Sequence, residues 1–222
     1  MSIDPSATVK TDQKRSSNTK KCILDAAENL FADCGFHGTS LRDITTLSGV
    51  RISLCYYHFG SKNNILQAVV DRRAEEHIQG MLGSLRHSLA AHGHNPLPVT
   101  VLIEAYLRPC LERHQCHGPG WRSYIRLLAH LASESASSDY QKEFVIYDAV
   151  NQAFLTEFKR ALPDADDSDI HWGFYFLQTA NINILLDTQL LERQSDGCYS
   201  AGDIDDTVQR MQRFFSGGFT PM

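Results

Sequence analysis

LRDITTLSGVRISLCYYHFGSK, residues 41–62, is the stretch that decides the fold. It reads as two short helices joined by a tight turn at Ser48-Gly49-Val50. Leu41, Ile44 and Leu47 recur at helical spacing and predict one buried face. Ser40-x-x-Asp43 has the form of a capping box, in which hydroxyl and carboxylate satisfy the unpaired N–H groups of a helix start. Gly49 takes a positive φ at no steric cost, which suits a sharp helix-to-helix turn, and Val50 is expected to plug the angle between the helices. From Arg51 to His58 the chain makes about two turns. Ile52, Cys55 and Phe59 are expected to face inward. Arg51, Ser53, Leu54, Tyr57 and His58 then face outward, with Tyr56 at the edge. So short a helix, so rich in hydrogen-bonding groups, makes a poor core element and a good reader of a DNA groove. Ser61 is a good N-cap for the next helix. Lys62 adds a full charge to a helix start that already attracts phosphate.

With these residues in view, 18–66 resembles the N-terminal DNA-binding domain of TetR-family transcriptional regulators. The resemblance rests on Ile23-Leu24-Asp25-Ala26-Ala27, Leu30-Phe31, Gly35-Phe36, Thr39-Ser40, Ile44, Gly49-Val50, Tyr56-Tyr57-His58-Phe59 and Ser61-Lys62. It implies an all-α homodimer whose residues 51–57 enter the major groove. Phosphate contacts are implied near Thr39, Tyr57, His58 and Lys62. The DNA-contacting set expected is Thr39, Ser40, Arg51, Ser53, Leu54, Tyr56, Tyr57, His58 and Lys62. Two positions depart from the family pattern: Arg51 stands where Ser or a similar cap is usual, and Leu54 where a small or hydroxyl residue is usual. Arg51 is then a candidate for phosphate or guanine, and Leu54 for a thymine methyl.

The chain has 222 residues, 42% of them apolar, enough for a real core. Its net charge of −5 looks wrong for a DNA binder, but the average hides an asymmetry. Residues 1–75 hold ten Lys/Arg and eight Asp/Glu, whereas 76–222 hold eleven and eighteen. The basic excess therefore sits with the helix-turn-helix, and the acidic body is expected to stay away from the duplex. No apolar run is long enough to span a bilayer, and no signal-peptide pattern opens the chain. Six scattered cysteines fit free thiols and a cytoplasmic protein. The polar, aperiodic segment 1–17 is expected to be a flexible arm, 18–66 the DNA-binding domain, and 67–222 an effector-binding and dimerisation domain.

About nine helices are expected in all. A long one runs from Ser61 to about Ala91, followed by helices near 97–113, 119–134, 138–161, 168–192 and 203–216, with Gly, Pro and Ser/Asp clusters between them. Helix 168–192 is apolar almost all round, so it must be buried on every side. A domain core on one face and a subunit interface on the other would do this, with the last helix alongside, forming a four-helix bundle across a two-fold axis. Trp172, Phe176, Ile184, Leu185, Met211, Phe214 and Phe215 are the interface candidates.

A ligand pocket is expected among Trp121, Tyr124, Leu128, Phe144, Tyr147, Phe174, Gln178 and Asn181, because aromatic walls with a few polar anchors suit an apolar organic effector. WRSYIRLLAHLASE and HWGFYFLQTA look similar to a TetR subgroup in which fatty-acid or acyl-type effectors occur. The resemblance, with the topology, implies a repressor released from its operator by a small, largely apolar organic effector, of which the fatty-acid or acyl type is one option; no cofactor and no membrane partner are expected. Cys110, His114, Cys116 and His117 offer an alternative, a metal-responsive regulator, although Cys116 and His117 diverge in a regular helix. No nucleophile elbow, phosphate loop or paired carboxylates suggest an enzyme.

Overall fold

Pro5 is tolerated in a first helical turn, and no Gly or Pro follows before Gly35. Helix α1 accordingly runs Pro5–Cys34, so the segment expected to be an aperiodic arm is helical from Pro5 onward. The computed structural model describes the backbone of residues 5–134, 145–186 and 189–218, and side chains from residue 16. After α1 come α2 (Leu41–Ser48), α3 (Ile52–Phe59), α4 (Lys62–His92), α5 (Val99–Cys116) and α6 (Pro119–Glu134). A 3₁₀ turn (Val145–Tyr147) leads into α7 (Asp148–Ala161), α8 (Asp167–Leu185), α9 (Leu190–Gln194) and α10 (Ile204–Gly218). Among the described residues there is no strand, and the fold is all-α. No described helix is long and apolar enough to cross a membrane.

The chain divides into two compact units between Arg72 and Arg73, within α4. In the first unit Ile23, Ala27 and Phe31 of α1, Ile44 of α2, Cys55 of α3, and Ile65 and Val69 of α4 form the buried face. Arg72 clamps α4 to α1, reaching Asp25 at 2.6 Å and the buried Glu28 at 2.5 Å. A buried carboxylate needs such a partner, because desolvation alone would disfavour its charge.

The second unit is built round Leu102, Ile103 and Tyr106 of α5, Tyr124 and Ile125 of α6, Phe154 and Phe158 of α7, and Phe174 and Leu177 of α8. Tyr106 meets Phe154 and Phe174 edge-on, with centroids 5.1 and 5.2 Å apart. The last helix lies along α5 and is fastened by polar contacts. Arg108 pairs with Asp205 at 2.9 Å, and Gln212 donates to the Thr100 carbonyl at 3.0 Å.

The single helix expected over 168–192 is two. α8 ends at Leu185, Gln189 takes a left-handed φ of 51°, and α9 begins at Leu190. Neither Gly nor Pro marks that break. The outer face of α8 is also exposed within the chain, and Trp172 keeps 58% of its surface. Of the interface candidates, Leu185, Met211 and Phe215 are buried in the hydrophobic core of the chain, whereas Trp172, Phe176 and Phe214 are exposed. Ile184 is half-buried.

Candidate nucleic-acid interface and ligand cavity

The capping box at α2 closes as its spacing predicts. The Asp43 N–H donates to Ser40 Oγ at 3.2 Å, and the Ser40 N–H and hydroxyl donate to Asp43 Oδ2 at 2.8 and 2.6 Å. Those Ser40 hydrogen bonds hold the Asp43 carboxyl below the usual carboxylate range. Gly49 then turns the chain at φ 67°, and its N–H caps Thr45 O.

Arg51 stands at the N-cap of α3 in extended conformation, with no side-chain hydrogen bond to the helix. Its carbonyl accepts from Leu54 N at 2.9 Å and Cys55 N at 3.3 Å. The Ile52 and Ser53 N–H groups are therefore left facing forward, as at any helix start whose cap offers no acceptor. Cys55 fastens α3 from beneath; burial pushes its thiol pKa up. Arg51, Ser53, Leu54, Tyr56 and Tyr57 are exposed, and Tyr57 keeps 80% of its surface. Ile52 and Leu47, expected inside, are exposed as well, because each eight-residue helix buries only one narrow stripe. His58 and Phe59 are half-buried, and the His58 ring meets Tyr57 edge-on at 5.1 Å.

Two expected phosphate contacts are engaged within the protein. Thr39 is 3% exposed, and its hydroxyl donates to Gly35 O at 2.9 Å and Leu30 O at 3.2 Å. Lys62 folds back: its ammonium donates to the Phe36 and Thr39 carbonyls, both at 2.8 Å, and sits 4.0 Å over the Phe36 ring. Partial burial lowers its pKa. Thr39 and Lys62 thus hold the α1–α2 corner in place.

A cavity of about 300 Å³ opens in the second unit. Of the expected pocket residues, Leu128, Tyr147, Gln178 and Asn181 line it. Trp121, Tyr124 and Phe174 lie behind its wall in the core, and Phe144 falls outside the described residues. Tyr124 reaches the lining through its hydroxyl, 2.9 Å from that of Tyr147. Gln178 Nε2 donates to Tyr106 Oη at 3.2 Å and Asn151 Oδ1 at 3.0 Å. His77, Tyr106, Cys110 and Asn151 also line the cavity but escaped the sequence reading. The available signal was a histidine in the α4 stripe Ala74, His77, Met81, whose neighbours are buried.

His77 is 3% exposed, and its Nδ1 has no hydrogen-bond partner. Its ring lies against Trp121, Tyr124 and Tyr147. Burial, with the nearby Arg113 charge, pushes its pKa down to about 3, so the imidazole stays neutral. Burial likewise pushes the Cys110 thiol up to about 12 and raises the Tyr106 and Tyr147 hydroxyls. Asn181 hydrogen-bonds the Cys110 sulfur, and its Oδ1 is buried without a partner. A wider cleft of about 930 Å³ runs between α8, α9 and α10, bordered by Ile184, Leu190, Leu191 and Phe214.

Cys110 and His114 are buried, whereas Cys116 and His117 are exposed. Among the described residues no three His, Cys, Asp or Glu side chains converge on a possible metal position, so the metal-responsive alternative gains no support.

Comparison with known proteins agrees with this geometry. Residues 23–69 match the family profile described as "Bacterial regulatory proteins, tetR family". Residues 104–218 match "Tetracyclin repressor-like, C-terminal domain". The chain is similar to the HTH-type transcriptional regulator RutR of Escherichia coli strain K12, 46% identical over 65 residues, which cover 28% of this chain and 31% of that protein. It is also similar to the HTH-type transcriptional regulator TtgR of Pseudomonas putida, 35% identical over 69 residues, 31% of this chain and 33% of TtgR. The match thus spans about a third of these relatives' length. The solved structure of Salmonella enterica GusR shares the fold, with a TM-score of 0.57, 18% identity, and 90% of this chain and 95% of that one covered. With one profile over its first helices and another over more than half its length, the chain belongs to the TetR family of bacterial regulatory proteins.

Proposed function

We propose that this chain is a dimeric transcriptional regulator that binds an operator through α3 and is released from it by a small, largely apolar organic effector. The observation that carries the reading is the face of α3. Arg51, Ser53, Leu54, Tyr56 and Tyr57 stand exposed on a helix fastened from beneath by Cys55. An exposed set of hydrogen-bonding and aromatic groups on a short helix seated on a core is what major-groove readout requires. The forward-facing N–H groups of Ile52 and Ser53 suit a phosphate. The RutR and TtgR matches, to proteins named as HTH-type transcriptional regulators, support the same reading.

Dimerisation would cover Trp172, Phe176 and Phe214, large aromatics that are costly to leave in water. Two α3 helices related by a two-fold would then meet half-sites roughly 34–36 Å apart or somewhat more. The 300 Å³ cavity is the proposed effector site. Repression follows if the unliganded dimer favours the operator and the effector favours another conformation. Helix α4 supplies both units and is the proposed carrier of the change.

The test is retardation of the chain's own upstream promoter DNA against scrambled duplex at two salt concentrations. Specific, salt-sensitive binding by a dimer is expected. Weak binding indifferent to sequence, there and across genomic fragments, refutes the reading.

A further inference from the structure

We infer that the 300 Å³ cavity takes an uncharged, two-ring-sized organic molecule carrying an N–H or O–H donor for Asn181 Oδ1 and a hydrogen-bonding group for His77 Nδ1. This rests on the proposed ligand-binding role of the cavity and adds the chemistry of what enters it.

No Lys, Arg, Asp or Glu is among the described residues that line the cavity. An ion moved from water into such a site would lose its hydration with nothing to replace it. The titratable groups of the wall are neutral too, since burial holds His77 unprotonated and keeps the Cys110, Tyr106 and Tyr147 protons in place. Arg73 lies 5.1 Å over the Trp121 ring, and Arg113, whose charge reaches His77, is engaged elsewhere. It donates to the Glu76 and Pro109 carbonyls at 3.2 and 3.3 Å and lies 5.0 Å over the Trp121 ring. Gly80 makes room for it, since a Cβ there would fall 2.0 Å from Arg113 Nη2.

Polarity makes the inference specific. Gln178 Nε2 is taken up by Tyr106 and Asn151, and the Tyr147 hydroxyl lies against that of Tyr124. Among the described residues of the wall, His77 Nδ1 and Asn181 Oδ1, on residues 3% and 4% exposed, are buried without hydrogen-bond partners. A buried polar atom left unpaired is costly, so a ligand that pairs both gains what an apolar molecule of the same shape cannot. Asn181 Oδ1 can only accept, which fixes a donor on the ligand, whereas neutral imidazole Nδ1 can take either role. The remaining wall, with Met81, Ile125, Leu128, Val150, Ile182 and Leu185, is apolar. At about 300 Å³ the space lies at the small end of ligand pockets. An acyl amide with a free N–H meets these terms, whereas a fatty-acid carboxylate placed inside does not.

The experiment titrates the full-length protein at pH 7 with four probes of one shape: 2-naphthamide, 2-methylnaphthalene, 2-naphthoate and 2-naphthylmethylamine. Calorimetry reads the affinity and gel retardation reads DNA release. The amide is expected to bind at least tenfold tighter than the hydrocarbon, and the anion and cation weaker than either. Asn181→Leu should narrow the gap between amide and hydrocarbon about tenfold while leaving the hydrocarbon's affinity in place. Should that variant fail to fold, the order of the four probes on the natural protein still decides. Naphthoate or the amine binding best, or the amide no better than the hydrocarbon, overturns the inference, as does no binding by any probe. Should the probes bind in the expected order without changing DNA retention, the cavity chemistry stands and the regulatory reading fails.

Discussion

Replacing Lys62 with Met keeps the apolar stem and removes the ammonium, which makes Lys62→Met the sharpest test of the α1–α2 corner. Two hydrogen bonds are lost, to the Phe36 and Thr39 carbonyls, both at 2.8 Å, together with the cation above the Phe36 ring. Charge-assisted hydrogen bonds contribute roughly 1.5–3 kcal/mol each when sheltered. An exposed cation–π contact adds about 0.5–1 kcal/mol. Lys62 is only half-buried, so the low end applies, and some of the loss returns as relief of desolvation. A net cost of about 2 kcal/mol follows, which raises the locally open population about 30-fold. Hydrogen exchange of the α2 and α3 amides in the full-length protein should quicken by about that factor. DNA affinity should fall while the salt slope stays the same. A slope reduced by about one charge, with exchange unchanged, would mean that Lys62 is spent on phosphate, and the reasoning fails.

Arg72→Met should take from the buried Glu28 its ion-pair partner and cost the N-terminal unit about 3 kcal/mol, read by urea denaturation; adding Glu28→Gln should recover part of it. Gly49→Ala meets no steric contact but must hold φ at +67°, so a loss of about 1 kcal/mol is expected, seen as a lower denaturation midpoint. His77 has a folded pKa of about 3, below its unfolded 6.5, so its neutral form supports the fold fully above pH 6.5. That support is lost as the pH falls toward 3, at about 1.4 kcal/mol per pH unit. Urea midpoints at pH 7 and pH 5 should show the slope, and His77→Leu should flatten it. Arg51→Ala should either relax base discrimination by roughly 1–3 kcal/mol or lower the salt slope by about one, in gel retardation with operator variants; no change in either measure would take Arg51 out of the groove.

The helix-turn-helix was legible because its signals are local. Ser40, Asp43 and Gly49 act on backbone groups within a few residues, and the capping box and left-handed turn close where the spacing puts them. The internal roles of Thr39 and Lys62 were not legible because their partners are distant in sequence: the Phe36 carbonyl is 26 residues from Lys62, and no periodicity reports it. The cavity was half legible. Gln178 and Asn181 lie on one stripe of α8 and line it, but His77, Tyr106 and Cys110 arrive from α4 and α5 through packing. The same limit explains the interface. Apolar spacing marks Leu185, Met211 and Phe215 as buried but cannot say whether their own chain or a second copy does the burying. The break after Leu185 carries no Gly or Pro, so the sequence continued a helix that the chain ends.

Arg51 has a consequence for how firmly α3 is made when no DNA is present. A Ser or Asp in its place would lend an oxygen to the first amides of the helix; Arg51 lends none. A phosphate oxygen of the operator could supply that acceptor and so complete the helix it is read by. Operator binding and the integrity of α3 would then be a single equilibrium. Whatever frays the first turn would loosen the grip on DNA, and the duplex itself would protect the Ile52 and Ser53 amides from exchange with solvent.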